Sequence, residues 1–291
     1  MSDRVRLRRS VLYMPGSNAR AIEKARTLPA DALILDLEDS VAPDAKPAAR
    51  DQVCAAVHDG GFGNREVVVR TNGLDTPWGR ADLEAAAKAG PDAVLLPKVN
   101  DAGMIGNANA MLEAAGAARE TALWAMMETP IAMLRAQEIA GAGGRLRCLV
   151  MGTNDLAKEL GAVQTEARTP IMTSLSLCLL AARAFHLPII DGVYNDIQNL
   201  EGFEAVCRQG RELGFDGKTL IHPTQIEICN RVFSPAAEAV EEARAVIAAF
   251  NTPEARERGV VKLGGRMVER LHLEQAEQLV AMAEAVEART R

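Results

Sequence analysis

The chain has 291 residues, 48% of them apolar but only 3% aromatic, and a formal net charge of −6. That length supports a sizeable core, in one large α/β domain with an appendage or in two modest domains, and the core must be built mainly from Ala, Val, Leu, Ile and Met. Negative charge without a long Lys/Arg run excludes nucleic acid and anionic membrane surfaces as partners, and no segment approaches the roughly 20 apolar residues of a membrane span.

The five cysteines are scattered without C-x-x-C spacing and read as reduced thiols of a cytoplasmic protein. The basic stretch from Arg4 to Arg9 leads into an apolar run, Val11 to Met14, that is too short for a signal peptide and is ended by Pro15-Gly16. In chain order, apolar runs with β character then recur: Ser10 to Met14, Ala32 to Asp36, Glu66 to Arg70, Ala93 to Pro97, Leu123 to Met127, Cys148 to Met151, Pro188 to Gly192 and Gly217 to Ile221. A turn and an amphipathic, Ala-rich helical stretch follow each run. Eight such β/α units predict an α/β protein of the (β/α)8 TIM-barrel type, because a doubly wound sheet would leave several of them unused.

Polar residues are placed as such a barrel requires. Asp36 and Glu38, Arg70, Lys98, Glu128, Asp155, Asp191 and His222 all fall at or just after the C-terminal end of a predicted strand, where TIM barrels carry their chemistry. Beyond His222 the pattern changes. Gln225 to Arg231 and Ala236 to Phe250 read as helices, Asn251-Thr252-Pro253 breaks the second, Val260 to Glu269 reads as a hairpin, and a last helix runs from His272 to about Ala288. A boundary near Ser234-Pro235 divides a catalytic barrel, residues 1–233, from a C-terminal helical and hairpin arm, residues 234–291, expected to pack on the barrel or on a neighbouring subunit.

Two of the runs end in a carboxylate and lead into a helix: Ala125-Met126-Met127-Glu128-Thr129-Pro130 and Met151-Gly152-Thr153-Asn154-Asp155-Leu156. On neighbouring parallel strands, Glu128 and Asp155 emerge on one rim, where a hard cation such as Mg²⁺ could bridge them and substrate. The alternative for each acid alone is a solvated helix start favoured by the macrodipole.

Arg9-Ser10-Val11-Leu12-Tyr13-Met14-Pro15-Gly16-Ser17, Leu35-Asp36-Leu37-Glu38-Asp39-Ser40-Val41, Val69-Arg70-Thr71-Asn72, Leu96-Pro97-Lys98-Val99, Met127-Glu128-Thr129-Pro130, Gly152-Thr153-Asn154-Asp155-Leu156 and Gly214-Phe215-Asp216-Gly217-Lys218-Thr219-Leu220-Ile221-His222-Pro223 occur in this order. Together they strongly resemble the citrate lyase β-subunit-like branch of the HpcH/HpaI aldolase superfamily, which includes the malyl-CoA, citramalyl-CoA and β-methylmalyl-CoA lyases. The resemblance implies a Mg²⁺-dependent carbon–carbon lyase on a TIM barrel, assembled as a homotrimer or hexamer, that cleaves a 3-hydroxyacyl-CoA thioester into a 2-oxo acid and an acyl-CoA. It also implies roles for residues: Glu128 and Asp155 match metal ligands, Arg70 the active-site arginine, and Glu38 and Asp39 the acids that hold that arginine.

The chemistry suits these residue types. A 2-oxo acid chelates a cation through carboxylate and carbonyl oxygens, and two protein carboxylates leave coordination positions open for it. Arg70 is permanently cationic and suits the negative charge of an enolate, a contribution commonly worth ~3 kcal/mol in the barrier. The main-chain N–H groups of Gly152, Thr153, Asn154 and Asp155 could hold the substrate carboxylate. Ser17, Arg20 and Lys24 could bind a coenzyme A phosphate, or Pro15 to Asn18 could be an ordinary helix cap. Lys98 could form a Schiff base, which the resemblance disfavours, and His222 reads better as a turn residue than as a proton shuttle.

The acid/base residue departs from the pattern. Gly265-Arg266-Met267-Val268-Glu269 matches the segment in which lyases of this family carry an aspartate that reaches over an active site, but Glu269 replaces the aspartate. The extra methylene displaces the carboxyl by roughly 1 Å, a misplacement that can cost about a hundredfold in rate; a surface charge is the alternative. Three other outcomes stay open for the same site: malyl-CoA thioester hydrolysis, a citrate lyase β-subunit acting on a citryl-carrier protein, and a non-catalytic barrel that binds a CoA ester or dicarboxylate.

Overall fold

The structure is a computed structural model that describes residues 6–252 and 259–290, so Arg4 and Pro253 lie outside the described residues. These residues form two compact units, Arg8–Phe233 and a smaller one from Ser234 onward that also includes Arg6 and Leu7.

The larger unit is a closed barrel of eight parallel strands in sequential order. They are β1 (Ser10–Pro15), β2 (Ala32–Asp36), β3 (Glu66–Arg70), β4 (Ala93–Leu96), β5 (Ala122–Met127), β6 (Leu146–Met151), β7 (Ile189–Asp191) and β8 (Gly217–Leu220). The connecting helices are α1 (Ala19–Ala25), α2 (Lys46–Asp59), α3 (Gly79–Ala89), α4 (Ala102–Ala114), the short α5 (Pro130–Leu134) and α6 (Ala136–Ala140), α7 (Thr153–Leu160), α8 (Met172–Ala184), α9 (Leu200–Leu213) and α10 (Ile226–Phe233). This is the predicted TIM barrel. The strands read as continuous apolar runs because both of their faces are covered.

Strand parity divides the core into two layers. Val11, Ala32, Ile34, Val68, Leu95, Trp124, Met126, Cys148 and Val150 fill the barrel interior, while Leu33, Leu35, Val67, Val69, Val94 and Leu149 face the helices. Parity also sets the rim: the inward series Ala32, Ile34 continues to Asp36, Val68 to Arg70, and Trp124, Met126 to Glu128. In β6 the pairing skips from Leu146 to Cys148, so exposed Arg147 bulges out and the inward parity matches that of β5 again.

The smaller unit contains α11 (Ala237–Ala249), an antiparallel hairpin of β9 (Val260–Leu263) and β10 (Arg266–Glu269), and α12 (Arg270–Thr290). Gly264 and Gly265 form its two-residue turn with φ of 55° and 83°, a backbone that side chains rarely adopt. Phe250 and Val268 are its small core, against Val246, Val261, Leu263 and Leu273. The last helix begins at Arg270, two residues before the predicted start. The Glu269 N–H donates to His272 Nδ1 at 3.0 Å, which ties the strand end to the helix start.

Candidate active site

A cavity of about 390 Å³ opens at the C-terminal ends of the strands. Arg70, Asp39, Glu128, Gly152, Thr153, Asn154 and Asp155 all line it, as do Asp36 and Tyr13. The candidates from separate segments therefore converge because each follows a strand of one barrel.

Arg70 is 6% exposed and held mainly by Asp36. Its Nε and Nη2 donate to the two Asp36 carboxylate oxygens at 2.6 and 2.7 Å, a bidentate pair that fixes the guanidinium plane. Asp36 and Arg70 are register partners at the ends of β2 and β3. Glu38 adds an ion pair to Nη1 at 2.9 Å, and the Tyr13 ring lies 4.8 Å from the guanidinium carbon. Asp39 is a distant third at 3.5 Å, with its side chain 61% exposed. The principal holder of the arginine is thus Asp36, which the sequence places on the rim without assigning it a role. Burial works against charge on both Asp36 and Arg70, but their mutual attraction holds the carboxyl below its ordinary range and the guanidinium above its own.

Glu128 is fully buried at the end of β5. Its Oε1 accepts the Lys98 N–H at 2.6 Å, while its buried Oε2 has no hydrogen-bond partner among the described residues. Burial first, and then the negative charge of Glu38, push its carboxyl up to about 8, with Asp155 adding a further rise. Lys98 makes its backbone donation from a left-handed conformation, φ 49°, that is costly for a non-glycine residue. Its Nζ donates to Glu38 Oε1 at 2.7 Å. Partial burial opposes its charge, but that hydrogen bond and the surrounding carboxylates hold the ammonium above its ordinary range, which is the wrong state for a Schiff-base nucleophile.

Asp155 stands in the first turn of α7, whose N-cap is Gly152. A Cβ on Gly152 would lie 2.4 Å from both Cβ and Oε2 of Glu128, so only glycine allows the helix start to approach that carboxylate. Gly152→Ala is therefore expected to displace Glu128 and lower turnover by roughly a hundredfold. A steady-state assay with an alanine enzyme as active as the wild type would separate Gly152 from the site.

Among the described residues no three His, Cys, Asp or Glu side chains form a metal cage. The donor set fits a hard cation nonetheless. Glu128 and Asp155 offer two carboxylates, one with a buried oxygen lacking a partner among the described residues, and of the residues lining the cavity Asp36, Asp39, Glu128 and Asp155 outnumber Arg70. Mg²⁺ is held in this way, by one or two carboxylates with water and substrate completing its shell.

The remaining candidates sit elsewhere. Ser17, Arg20 and Lys24 are exposed and do not line the cavity, and the cap of α1 is Asn18, whose side chain accepts the Ala21 N–H. His222 caps the 3-10 turn Pro223–Gln225, with Nδ1 2.8 Å from Thr224 Oγ1. Asp191 is fully buried between Arg168, at 2.7 Å, and Lys218, at 3.0 Å, a structural ion cluster beneath the rim. Glu269 is an exposed residue of β10 in the smaller unit. Tyr13 and Asn195, both lining residues, were not singled out in one dimension, because each is uncharged, Tyr13 within β1 and Asn195 four positions beyond Asp191 at the end of β7.

Comparison with known proteins agrees with this geometry. Residues 9–223 match the HpcH/HpaI aldolase/citrate lyase family. The chain is 53% identical over 281 residues to the (3S)-malyl-CoA thioesterase of Cereibacter sphaeroides (strain KD131), covering 96% of each protein. It is 36% identical over 288 residues to the citrate lyase subunit beta of Escherichia coli (strain K12), covering 97% of this chain and 95% of that one. Among solved structures, the protein CitE of Mycobacterium tuberculosis in complex with magnesium, acetoacetate and coenzyme A matches with a TM-score of 0.75 and 31% identity, covering 94% of this chain and 97% of that chain. A barrel with this rim, matched along nearly its whole length, belongs to the HpcH/HpaI aldolase/citrate lyase family of enzymes.

Proposed function

We propose that this protein is a Mg²⁺-dependent enzyme that hydrolyses a 3-hydroxyacyl-CoA thioester of the malyl-CoA type. The observation that carries the metal-dependent reading is the buried Glu128 oxygen without a partner among the described residues, in a cavity shared with Asp155 and with an arginine pinned by Asp36. Hydrolysis is preferred over carbon–carbon cleavage because the 53%-identical relative over nearly the full length is named a malyl-CoA thioesterase.

Glu128 and Asp155 would hold Mg²⁺. Bound there, the ion would polarise the oxygens of the hydroxy-acid end and balance the surplus of carboxylates. The N–H groups of Thr153, Asn154 and Asp155 at the start of α7, which have no intrahelical acceptor, receive the substrate carboxylate, whereas the expected contribution of Gly152 falls away because its N–H donates to the Met127 carbonyl at 3.0 Å. Arg70 spends two N–H groups on Asp36, while its Nη1 donates to Asp39 and Met126 Sδ beside the Glu38 charge, so its plane is set before substrate arrives, and its second Nη2 hydrogen serves the thioester oxygen. As water adds to the thioester carbon, that oxygen becomes an alkoxide and the hydrogen bond strengthens. The C–S bond then breaks and the thiolate of coenzyme A takes up the proton that water has lost.

Glu269 is assigned that proton transfer, on the strength of its match to the family segment. Glu269→Gln is then expected to lower kcat by about a hundredfold or more with little change in thermal stability, since the side chain is exposed. Unchanged turnover would reduce Glu269 to surface charge. Ser17, Arg20 and Lys24 are assigned to the phosphates of coenzyme A, and the working form is a homo-oligomer, a trimer or hexamer. A cytoplasmic location agrees with the five cysteines, all free thiols, and with the lack, among the described residues, of any helix long and apolar enough to cross a membrane.

Carbon–carbon cleavage to a 2-oxo acid and acetyl-CoA is the second reading, favoured by the citrate lyase subunit beta relatives and by the same arginine, which suits an enolate equally well. Mass spectrometry of the products from malyl-CoA and Mg²⁺, with EDTA as control, tests both. Free CoA with malate supports hydrolysis, acetyl-CoA with glyoxylate supports cleavage, and turnover that EDTA does not stop removes the metal from either.

A further inference from the structure

A second cavity, of about 250 Å³, adjoins the first: Thr153, Asn154, Val193 and Asn195 line both. Beyond that shared wall Ala157, Val163, Pro170, Ile171, Tyr194 and Val206 give it an apolar face, with Glu166 and Asp196 among its polar lining residues. The wall is closed by amides. Asn154 Nδ2 donates to Asn195 Oδ1 at 3.0 Å, Asn195 Nδ2 returns a bond to Asn154 Oδ1 at 2.8 Å, and Gln164 Nε2 donates to the same Asn154 oxygen at 3.1 Å. All three side chains are exposed, so water can replace these bonds at small net cost and the pair can part.

The position of this chamber relative to the acids gives it a use. Thr153 and Asn154 precede Asp155 in the first turn of α7, so the shared wall stands beside the carboxylate end of the site, whereas Arg70, which serves the thioester, comes from β3. We infer that the second cavity is a subsite for an uncharged, apolar substituent on the hydroxyl-bearing carbon of the substrate, admitted when the Asn154–Asn195 pair opens. The inference rests on the assignment of the hydroxy-acid end to Glu128 and Asp155. It widens the substrate class from malyl thioesters to 3-hydroxyacyl thioesters with a branch longer than methyl. Arg168 also lines the chamber, with Nη1 on Asp191, Nε on Gln209 and a buried Nη2 that has no hydrogen-bond partner among the described residues, while Glu166 and Asp196 line it as well and set negative charge against an anionic branch.

Calorimetric binding of free 2-oxo acids in the presence of Mg²⁺ tests this without turnover. Glyoxylate and pyruvate report on the main site. 2-Oxopentanoate adds two methylenes to pyruvate and is expected to bind roughly tenfold tighter, since a buried methylene is worth about fourfold in affinity. Val206→Phe, which fills the chamber from α9, and Val163→Trp, at a position 75% exposed and so safe for folding, are both expected to remove that gain and leave glyoxylate affinity unchanged. Loss of glyoxylate binding by the wild type would overturn the assignment of the main site. Glyoxylate binding without tighter binding of 2-oxopentanoate, or a gain that survives Val163→Trp, would overturn the subsite alone. Preference for 2-oxoglutarate over 2-oxopentanoate would also overturn it, by giving the chamber to a distal carboxylate.

Discussion

Glu128→Gln is expected to make the EDTA-treated protein more stable at pH 8 while turnover falls by at least about a thousandfold. Glu128 is fully buried, one of its oxygens has no partner among the described residues, and burial together with Glu38 and Asp155 pushes its carboxyl up to about 8. The sign follows from linkage. A carboxyl whose folded pKa lies above its unfolded value favours the folded state when protonated, so its contribution is full below the unfolded pKa, about 4.5, and is lost as pH rises towards 8. At roughly 1.4 kcal/mol per pKa unit the loss amounts to a few kcal/mol. Glutamine keeps an acceptor for the Lys98 N–H but never ionises, so the slope between pH 5 and 8 flattens.

Activity moves the other way, because a neutral amide gives up the charge that a divalent cation requires, and several kcal/mol of transition-state stabilisation with it. Thermal denaturation from pH 5 to 9, with and without Mg²⁺, reads the stability effects, and steady-state assays alongside read turnover. Mg²⁺ should raise the wild-type midpoint and leave the variant unmoved. A variant that retains turnover, or that gains as much from Mg²⁺ as the wild type, would take Glu128 out of the metal site.

Arg70→Met should cost both stability and activity, and a second substitution separates the two. Removing the guanidinium leaves Asp36, 1% exposed, without its counter-ion, a loss of about 3–5 kcal/mol for a broken buried pair. The Glu38 and Ser40 N–H groups still donate to Asp36, at 2.9 and 3.1 Å, and soften that loss. Turnover should fall by about a hundred- to a thousandfold through the missing donor. Adding Asp36→Asn removes the stranded charge, so the double variant should regain most of the lost stability and none of the turnover. Denaturant melts and steady-state kinetics on the four proteins of the cycle decide the matter. If turnover returns along with stability, the arginine is a structural strut and the oxyanion lies elsewhere.

These two residues also illustrate how far the chain can be read in one dimension. The eight strands were legible within about two residues because a strand covered on both faces is a continuous apolar run, and a charge marks where it surfaces. Prediction overshot at Pro97, where the strand stops at Leu96 ahead of the left-handed turn at Lys98. It began late at Cys148, because Leu146 pairs across a bulge at Arg147 that an uneven apolar pattern conceals. The hairpin from Val260 to Leu263 and Arg266 to Glu269 was legible for a different reason, since paired glycines in a left-handed turn leave a tight hairpin few alternatives.

Within the site, Arg70, Glu128 and Asp155 were legible because a residue at the end of a parallel barrel strand can face only one rim. Their local segments also specify chemistry: an apolar run, a charged residue and, for the two acids, a helix start. The partner of Arg70 was not legible from spacing alone. Asp36, Glu38 and Asp39 are near neighbours in the chain, and choosing among them needs the inward parity of β2 and its register with β3, which bring Asp36 alongside Arg70. The surplus of negative charge around Glu128 belongs to the same level, because a carboxylate's pKa depends on burial and on neighbours more than 25 positions away in sequence, Glu38 and Asp155 among them. Composition and periodicity set the barrel because they act locally and repeat eight times; the electrostatics of its mouth came only with closure, which brings acids at or just after the ends of β2, β5 and β6 around one cavity.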